Sequence, residues 1–242
     1  MSARHWPRPA LATTALALLG AAAVAGCSNS ASTSQVSATQ TAGVAAATGH
    51  KGYTAAQLKG ALLTKVNGDR PAATPEAGDY GALPDVETSK QTMTGVKVTP
   101  AKCAEASLTG FNSASFSHAP AAVVTFKVGR DGVSEVLVSA SSQLATTALG
   151  NKLAAGCSHY DATVAGKTFR YSVREASLSG IGDQARALNV RAAGYAEVDV
   201  WSVVFRGDGF VGAVTMVGPG ASRSGVTTLA ENAYANAAQS LS

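Results

Sequence analysis

The segment AEVDVWSVVFRGDGFVGAVTMV, residues 196–217, limits what this chain can become more than any other. Two runs rich in Val, Phe and Trp enclose RGDG, whose glycines suit a tight reversal. So short a connection requires antiparallel pairing, because a parallel crossover needs a dozen residues or more. Both runs are apolar at consecutive positions, as expected of central strands covered on two faces. A second hairpin lies upstream, where AAVVTFKV and VSEVLVSA flank GRDG and place Val124, Phe126 and Val128 on one side.

The remaining pattern is built around these hairpins. TFRYSVREASL and ALNVRAA, on either side of SGIGDQ, read as two further strands. Thr54 is the expected N-cap of a helix over 55–66, with Leu58, Leu62 and Val66 at i, i+4 and i+8. Ser141 or Ser142 starts another helix that runs to about Ala155; Ala145, Leu149 and Leu153 form its stripe, Cys157 is the next term, and Gly156 is its breaker. Residues from about Ser222 to Leu241 place Val226, Leu229, Ala233, Tyr234, Ala237 and Leu241 on one helical face, ready to dock on the sheet. Residues 67–100, with Pro71, Pro75, Pro84 and Pro100, read as loop with a short strand at GVKV, and PAKCAEASL restarts as a brief helix carrying Cys103. The order predicts an α+β fold: an antiparallel sheet of about five to six strands with helices packed on it and one disulfide.

The N-terminus is expected to be a targeting segment. Arg4 and Arg8 precede an Ala/Leu/Val-rich run over residues 10–25, which ends in VAGC. Small residues at Ala25 and Gly26 before Cys27 form the lipobox pattern of bacterial lipoproteins, in which the cysteine thiol takes a diacylglyceryl group before cleavage. The alternative is an ordinary secretory leader followed by a free cysteine. Residues 1–26 are thus read as the lipoprotein signal peptide and 27–52 as a lipid-anchored Ser/Thr/Ala tether too poor in large apolar side chains to fold. Residues 53–242 remain for the folded α+β domain. Acylation at Cys27, palmitate included, would hold the protein on the extracytoplasmic face of the cell membrane. Loss of Arg4 and Arg8 takes the 19 Lys/Arg to 17 against 15 Asp/Glu, spread without runs, so no nucleic-acid partner is expected.

With Cys27 lipidated, Cys103 and Cys157 are an even pair in an oxidising compartment, and a disulfide between them is expected. Cys157 also stands in LAAGCSHYDA with His159 and Asp161, the residue types of a cysteine-nucleophile site. On an extended strand all three would project to one side, but neighbours two apart point in parallel, which makes a Cys to His to Asp relay awkward. Oxidation with Cys103 would consume the thiol, so His159 and Asp161 are read as the start of a strand. A metal centre needs three or four converging ligands. Beyond the leader only His50, His118 and His159 occur, without HxxxH or CxxC.

Neither GDGF nor GRDG carries the oxygen ligands of a calcium loop. RGD at 206–208 is read as hairpin chemistry, and GIGDQA lacks the context of a phosphate loop. No GxSxG elbow is present. No catalytic, metal or cofactor residue is assigned, and the ligand-binding residues are left open. Trp201 is read as core before ligand platform. Phe111, Phe116 and His118 lie in loops, where recognition residues are concentrated.

The lipobox, the tether, YTAAQLKGALLT, SSQLATTALGNKLAAGCSHY with the second cysteine after its helix, GIGDQA, and WSVVFRGDGFVGAVTMV before a terminal Ala-rich helix form a series. It resembles actinobacterial lipoproteins related to the extracellular sensor domain of PknH-type mycobacterial receptor kinases. The resemblance implies an antiparallel sheet with helices around a cleft. In that family two disulfides hold the domain; here one can form. The expected role is non-enzymatic binding of an envelope ligand or protein through a cleft between the sheet and its preceding loops. The alternatives are an envelope-acting hydrolase or transferase, marked by converging carboxylates or a Ser/His pair, and a carrier of a lipid-like molecule, marked by an enclosed apolar cavity.

Overall fold

Every strand of the computed structural model, which describes residues 52–106, 111, 114–150, 152–193 and 198–242, belongs to one antiparallel sheet. In chain order the strands are β1 (Glu76–Asp79), β2 (Lys97–Thr99), β3 (Pro120–Val128), β4 (Asp131–Ser139), β5 (His159–Val164), β6 (Lys167–Leu178), β7 (Gln184–Ala193), β8 (Val198–Gly207) and β9 (Phe210–Val217). The helices are α1 (Ala55–Gly60), α2 (Pro84–Thr94), α3 (Ser142–Gly150) and α4 (Arg223–Ser240). In space the strands run β1-β3-β4-β9-β8-β7-β6-β5-β2. The chain makes the β3–β4 hairpin, crosses to the far side through α3, and meanders back from β5 until β9 pairs with β4.

The fold is α+β as expected, but with nine strands rather than five to six. The expected GVKV strand is present as β2, and the strand expected to start at His159 and Asp161 is β5; β1 is the addition. β1 reads EAGD, with no β-branched or aromatic residue, and is a strand because β3 offers its backbone groups along Glu76–Val123 to Asp79–Pro120. β5 alternates as a half-covered strand should, burying Tyr160 and Ala162.

Two helical expectations are corrected. Thr54 caps α1 through a reciprocal capping box with Gln57, yet the helix stops at Gly60 rather than 66. Leu58, Leu62 and Val66 are buried all the same, the last two from non-helical backbone. Residues 84–94, read as loop, form α2: Pro84 sits in its first turn with Asp85 and Glu87, favourable at a helix N-terminus, and none of its residues is buried. A helix without an apolar stripe has no periodicity to betray it.

Alternation along the strands sorts the core between the two faces of the sheet. On one face Val124, Phe126, Val203, Phe205 and Val214 meet α1 and the expected stripe of α4. Tyr234 stacks on Phe210 and meets Phe205 edge-on, and Asn236 Nδ2 donates to the carbonyls of Ala61 and Leu62, fastening the two helices together. On the other face Ala121, Val123, Val138, Val204 and Val211 pack beneath α3 and the turns bearing Tyr80, Phe111 and Phe116. A third cluster, around Tyr160, Tyr171, Val173, Leu188 and Val190, continues that second face and contains both Cys103 and Cys157.

Candidate functional site

The expected disulfide joins Cys103 and Cys157, with Cα atoms 5.3 Å apart and both residues buried. Its surroundings differ from those expected. α3 ends at Gly150, so Cys157 lies seven residues beyond the helix rather than on its stripe; Ala145 and Leu149 are buried beneath α3, while Leu153 packs in the disulfide's own cluster. Arg186 and Glu175 brace this connection: the guanidinium donates to Glu175 Oε1 at 3.0 Å and to the Ala148 carbonyl, while Glu175 Oε2 accepts from the Leu153 N–H. Burial draws the Arg186 pKa down, opposed by Glu175.

His159 and Asp161 do not join Cys157. They lie on the exposed face of β5, opposite the buried Tyr160; His159 is exposed beside Ser158, and Asp161 pairs with Arg170 at 3.4 Å. The loop aromatics are core: Phe111 and Phe116 are each 1% exposed, and their rings meet at 5.5 Å. His118 is exposed, 3.8 Å from Asp79. Within RGD, Arg206 donates to Thr146 Oγ1 at 2.8 Å across the second face. Gly182 of GIGDQA packs directly on the Arg206 carbonyl, where any Cβ would collide. Both motifs therefore serve the packing of the sheet's turns. Cys27 and His50 lie outside the described residues.

The described cleft lies elsewhere, against the residues that follow the sheet and not its preceding loops. Its floor is a tile of β6, β7 and β8. One cross-strand row is Ser172, Arg191 and Asp199; the next is Arg174, Asn189 and Trp201. Strand periodicity puts all six on one face. The wall is the start of α4 with its approach, Ala221, Ser222 and Arg223, and the cleft holds about 300 Å³.

Local sequence explains this wall. Gly220 N–H donates to Asp131 Oδ1 at 2.8 Å, and a Cβ at Gly218 or Gly220 would collide with that carboxylate, so glycine is required for the turn to lie against β4. Ser222 then caps α4 by accepting from the Gly225 N–H at 3.1 Å.

Charge within the cleft is unequal. Asp199 is held on both oxygens: Asn189 Nδ2 donates to Oδ1 at 2.7 Å, and Arg191 donates to Oδ2 at 2.7 Å. Among the described residues no ion pair engages Arg174 or Arg223. Trp201 is half-buried; it packs on the core and lines the cleft, so the two readings of it meet in one side chain. The site was missed because its charges are scattered in linear sequence. The available signal was period-two alternation in FRYSVRE and NVR, which collects Arg170, Ser172 and Arg174, then Asn189 and Arg191, on one face.

A second electrostatic feature lies under α1. Glu135 on β4 is 0% exposed, and its Oε2 accepts the Leu63 N–H at 2.7 Å while Oε1 has no partner among the described residues. Burial pushes its pKa up to about 7, partly offset by the Leu63 hydrogen bond. Among the described residues no three His, Cys, Asp or Glu side chains converge as a metal centre.

Fold and site together define a class: a disulfide-braced α+β domain whose antiparallel sheet presents a cationic, indole-bearing cleft. No family model and no curated protein matches the chain. Among solved structures it is similar to the extracellular domain of PknH from Mycobacterium tuberculosis, with a TM-score of 0.56 and 13% identity over 79% of this chain and 100% of that one. An uncharacterised Rv0999 ortholog from Mycobacterium smegmatis gives a TM-score of 0.41 and 16% identity over 69% and 85% of the two chains. The fold implied by the sequence resemblance is thus the fold observed.

Proposed function

We propose that this chain is a lipid-anchored extracytoplasmic lipoprotein whose folded domain binds an envelope ligand or protein without catalysing a reaction. In this reading residues 1–26 are removed, Cys27 carries the lipid, residues 27–52 are the tether, and residues 53–242 are the sensor-like binding domain. The observation that carries it is the cleft on β6–β8, where guanidinium, amide and indole groups stand on sheet geometry, a set suited to recognition. The disulfide favours an oxidising compartment, and the likeness in fold to an extracellular domain agrees with that address.

The competing readings find less support. A hydrolase or transferase would be favoured by converging carboxylates or a Ser/His pair, whereas the cleft's carboxylate, Asp199, is already committed to Asn189 and Arg191. A lipid carrier would be favoured by an enclosed apolar cavity, whereas this cleft is lined by charged and polar side chains. Two measurements test the proposal. Metabolic labelling with palmitate should mark the parent and leave Cys27→Ala unlabelled and released from the membrane fraction. Intact protein exposed to envelope extract should retain a component; retention of nothing would count against the binding role.

A further inference from the structure

We infer that the cleft between β6–β8 and the start of α4 takes a phosphoryl group, carried on a molecule whose flat or apolar portion lies against Trp201. Two guanidinium groups without ion-pair partners among the described residues, Arg174 on the floor and Arg223 on the wall, line the same space. Arg191, engaged by Asp199, stands beside them as a diagonal neighbour of Arg174 with Cα atoms ~7–8 Å away. Charges so arranged repel one another until an anion enters.

The start of α4 points the same way. This helix has 18 residues, no acidic residue in its first turn, and Arg223 as its first residue, a cation at the positive end of the helix dipole. Ser222 Oγ satisfies the Gly225 N–H, and the N–H groups of Arg223 and Ser224 have no acceptor among the described residues. An anion in the cleft would reverse the penalty of that placement.

The donor geometry selects among anions. Two forks without ion pairs among the described residues, one on the floor and one on the wall, with backbone N–H groups beside the second, match a tetrahedral centre bearing three oxygens. A carboxylate has two coplanar oxygens and occupies one fork. The indole of Trp201, across from Arg174 and beyond Asn189 in the same row, supplies an apolar surface for whatever carries the phosphoryl group. That carrier is either a small soluble phosphate ester or an anionic lipid headgroup.

The inference deepens the binding reading and rests on it, and the two fail separately: envelope capture by a protein deaf to phosphoryl probes sinks only the present assignment. Trp201 is the only tryptophan after Trp6, which leaves with residues 1–26 in the proposed processing, so the mature protein reports on the cleft by fluorescence. It is titrated at constant chloride with phenyl phosphate, with benzoate, and with phosphatidylcholine vesicles containing phosphatidic acid. The expected result is a saturable change with phenyl phosphate or with the vesicles; saturation by phenyl phosphate assigns a soluble ester, and saturation by the vesicles alone a lipid headgroup. Kd should rise about tenfold in Arg174→Gln and in Arg223→Gln, and saturation should vanish in the double variant. Lys167→Gln, at the exposed β5–β6 turn, should bind as the parent does, and matching thermal melts establish that all variants are folded. Absence of saturation in both phosphoryl arms, unchanged binding in the double variant, or benzoate binding as tightly as phenyl phosphate would overturn the assignment.

Discussion

The β3–β4–β9–β8 half of the sheet and the β7–β6–β5–β2 half are built on different terms. In the first, both faces are covered: Val203 and Phe205 point toward α4, while Val204 points toward α3 and the aromatic turns. In the second, one face is sealed around Tyr160, Tyr171 and the disulfide, while the other carries Arg170, Ser172, Arg174 and His159. A stretch of strand buried on both faces has no position free for recognition; one buried on a single face, as in β6, β7 and the start of β8, can offer every second residue to a ligand. α4 divides the two halves, and the cleft opens where the helix begins. The doubly covered half holds the frame, and the open half, together with the start of β8, carries the cleft.

That contrast predicts unequal costs. The largest falls in the covered half: Phe205→Ala removes a 0% exposed ring held between Phe210 and Tyr234 and should cost ~3–5 kcal/mol in urea unfolding. Ser172→Ala, on the open face, should change stability by ~0.5 kcal/mol or less in the same measurement. Similar losses at the two positions would break the comparison.

Next comes the staple of the thinner half. The disulfide spans 54 residues, so Cys103→Ser with Cys157→Ser should cost ~4 kcal/mol. Amide exchange should then accelerate in β5 and β2 before β8. Uniform acceleration would mean that the halves unfold as one. Mass spectrometry of the parent should show no free thiol at these positions.

Glu135 sharpens the picture of the covered half through pH. Its folded-state pKa is raised from 4.5 to about 7, so the folded protein holds this proton where the unfolded chain has lost it. The parent is therefore most stable, as far as this group is concerned, below pH 4.5, and loses ~3 kcal/mol as pH rises through 7. Glu135→Gln should flatten that slope, with its largest relative gain above pH 7. Urea midpoints at several pH values check this; parallel slopes for parent and variant would refute it.

The smallest effect lies at the cleft. A double-mutant cycle on Arg191 and Asp199, 2.7 Å apart with Arg191 54% exposed, should give ~0.2–1 kcal/mol of coupling to stability. A value several times larger would turn this pair from cleft lining into part of the frame.

Much of the covered half was legible from sequence because burial writes a pattern. WSVVF and VGAV are apolar at successive positions, the α4 stripe repeats at helical spacing, and Thr54 stands as the N-cap of α1. The open half was less so. β1 owes its conformation to β3, α2 buries nothing, and the cleft residues come from three strands and a helix start whose proximity no local window contains. Phe111 and Phe116 misled for the opposite reason: their segment is irregular, but their rings are swallowed by the core.

By itself the sequence determined the α+β class, the two central hairpins, the docked terminal helix and the pairing of Cys103 with Cys157, since each follows from local periodicity, connection length or cysteine count. Only the tertiary structure decided that the sheet has nine strands, that Glu135 is sealed beneath α1, and that Arg174, Arg191, Arg223 and Trp201 share one cleft. Those outcomes depend on register across strands and on where α4 starts. They are long-range relations, set when the hydrophobic faces close on one another rather than by any residue's neighbours in the chain.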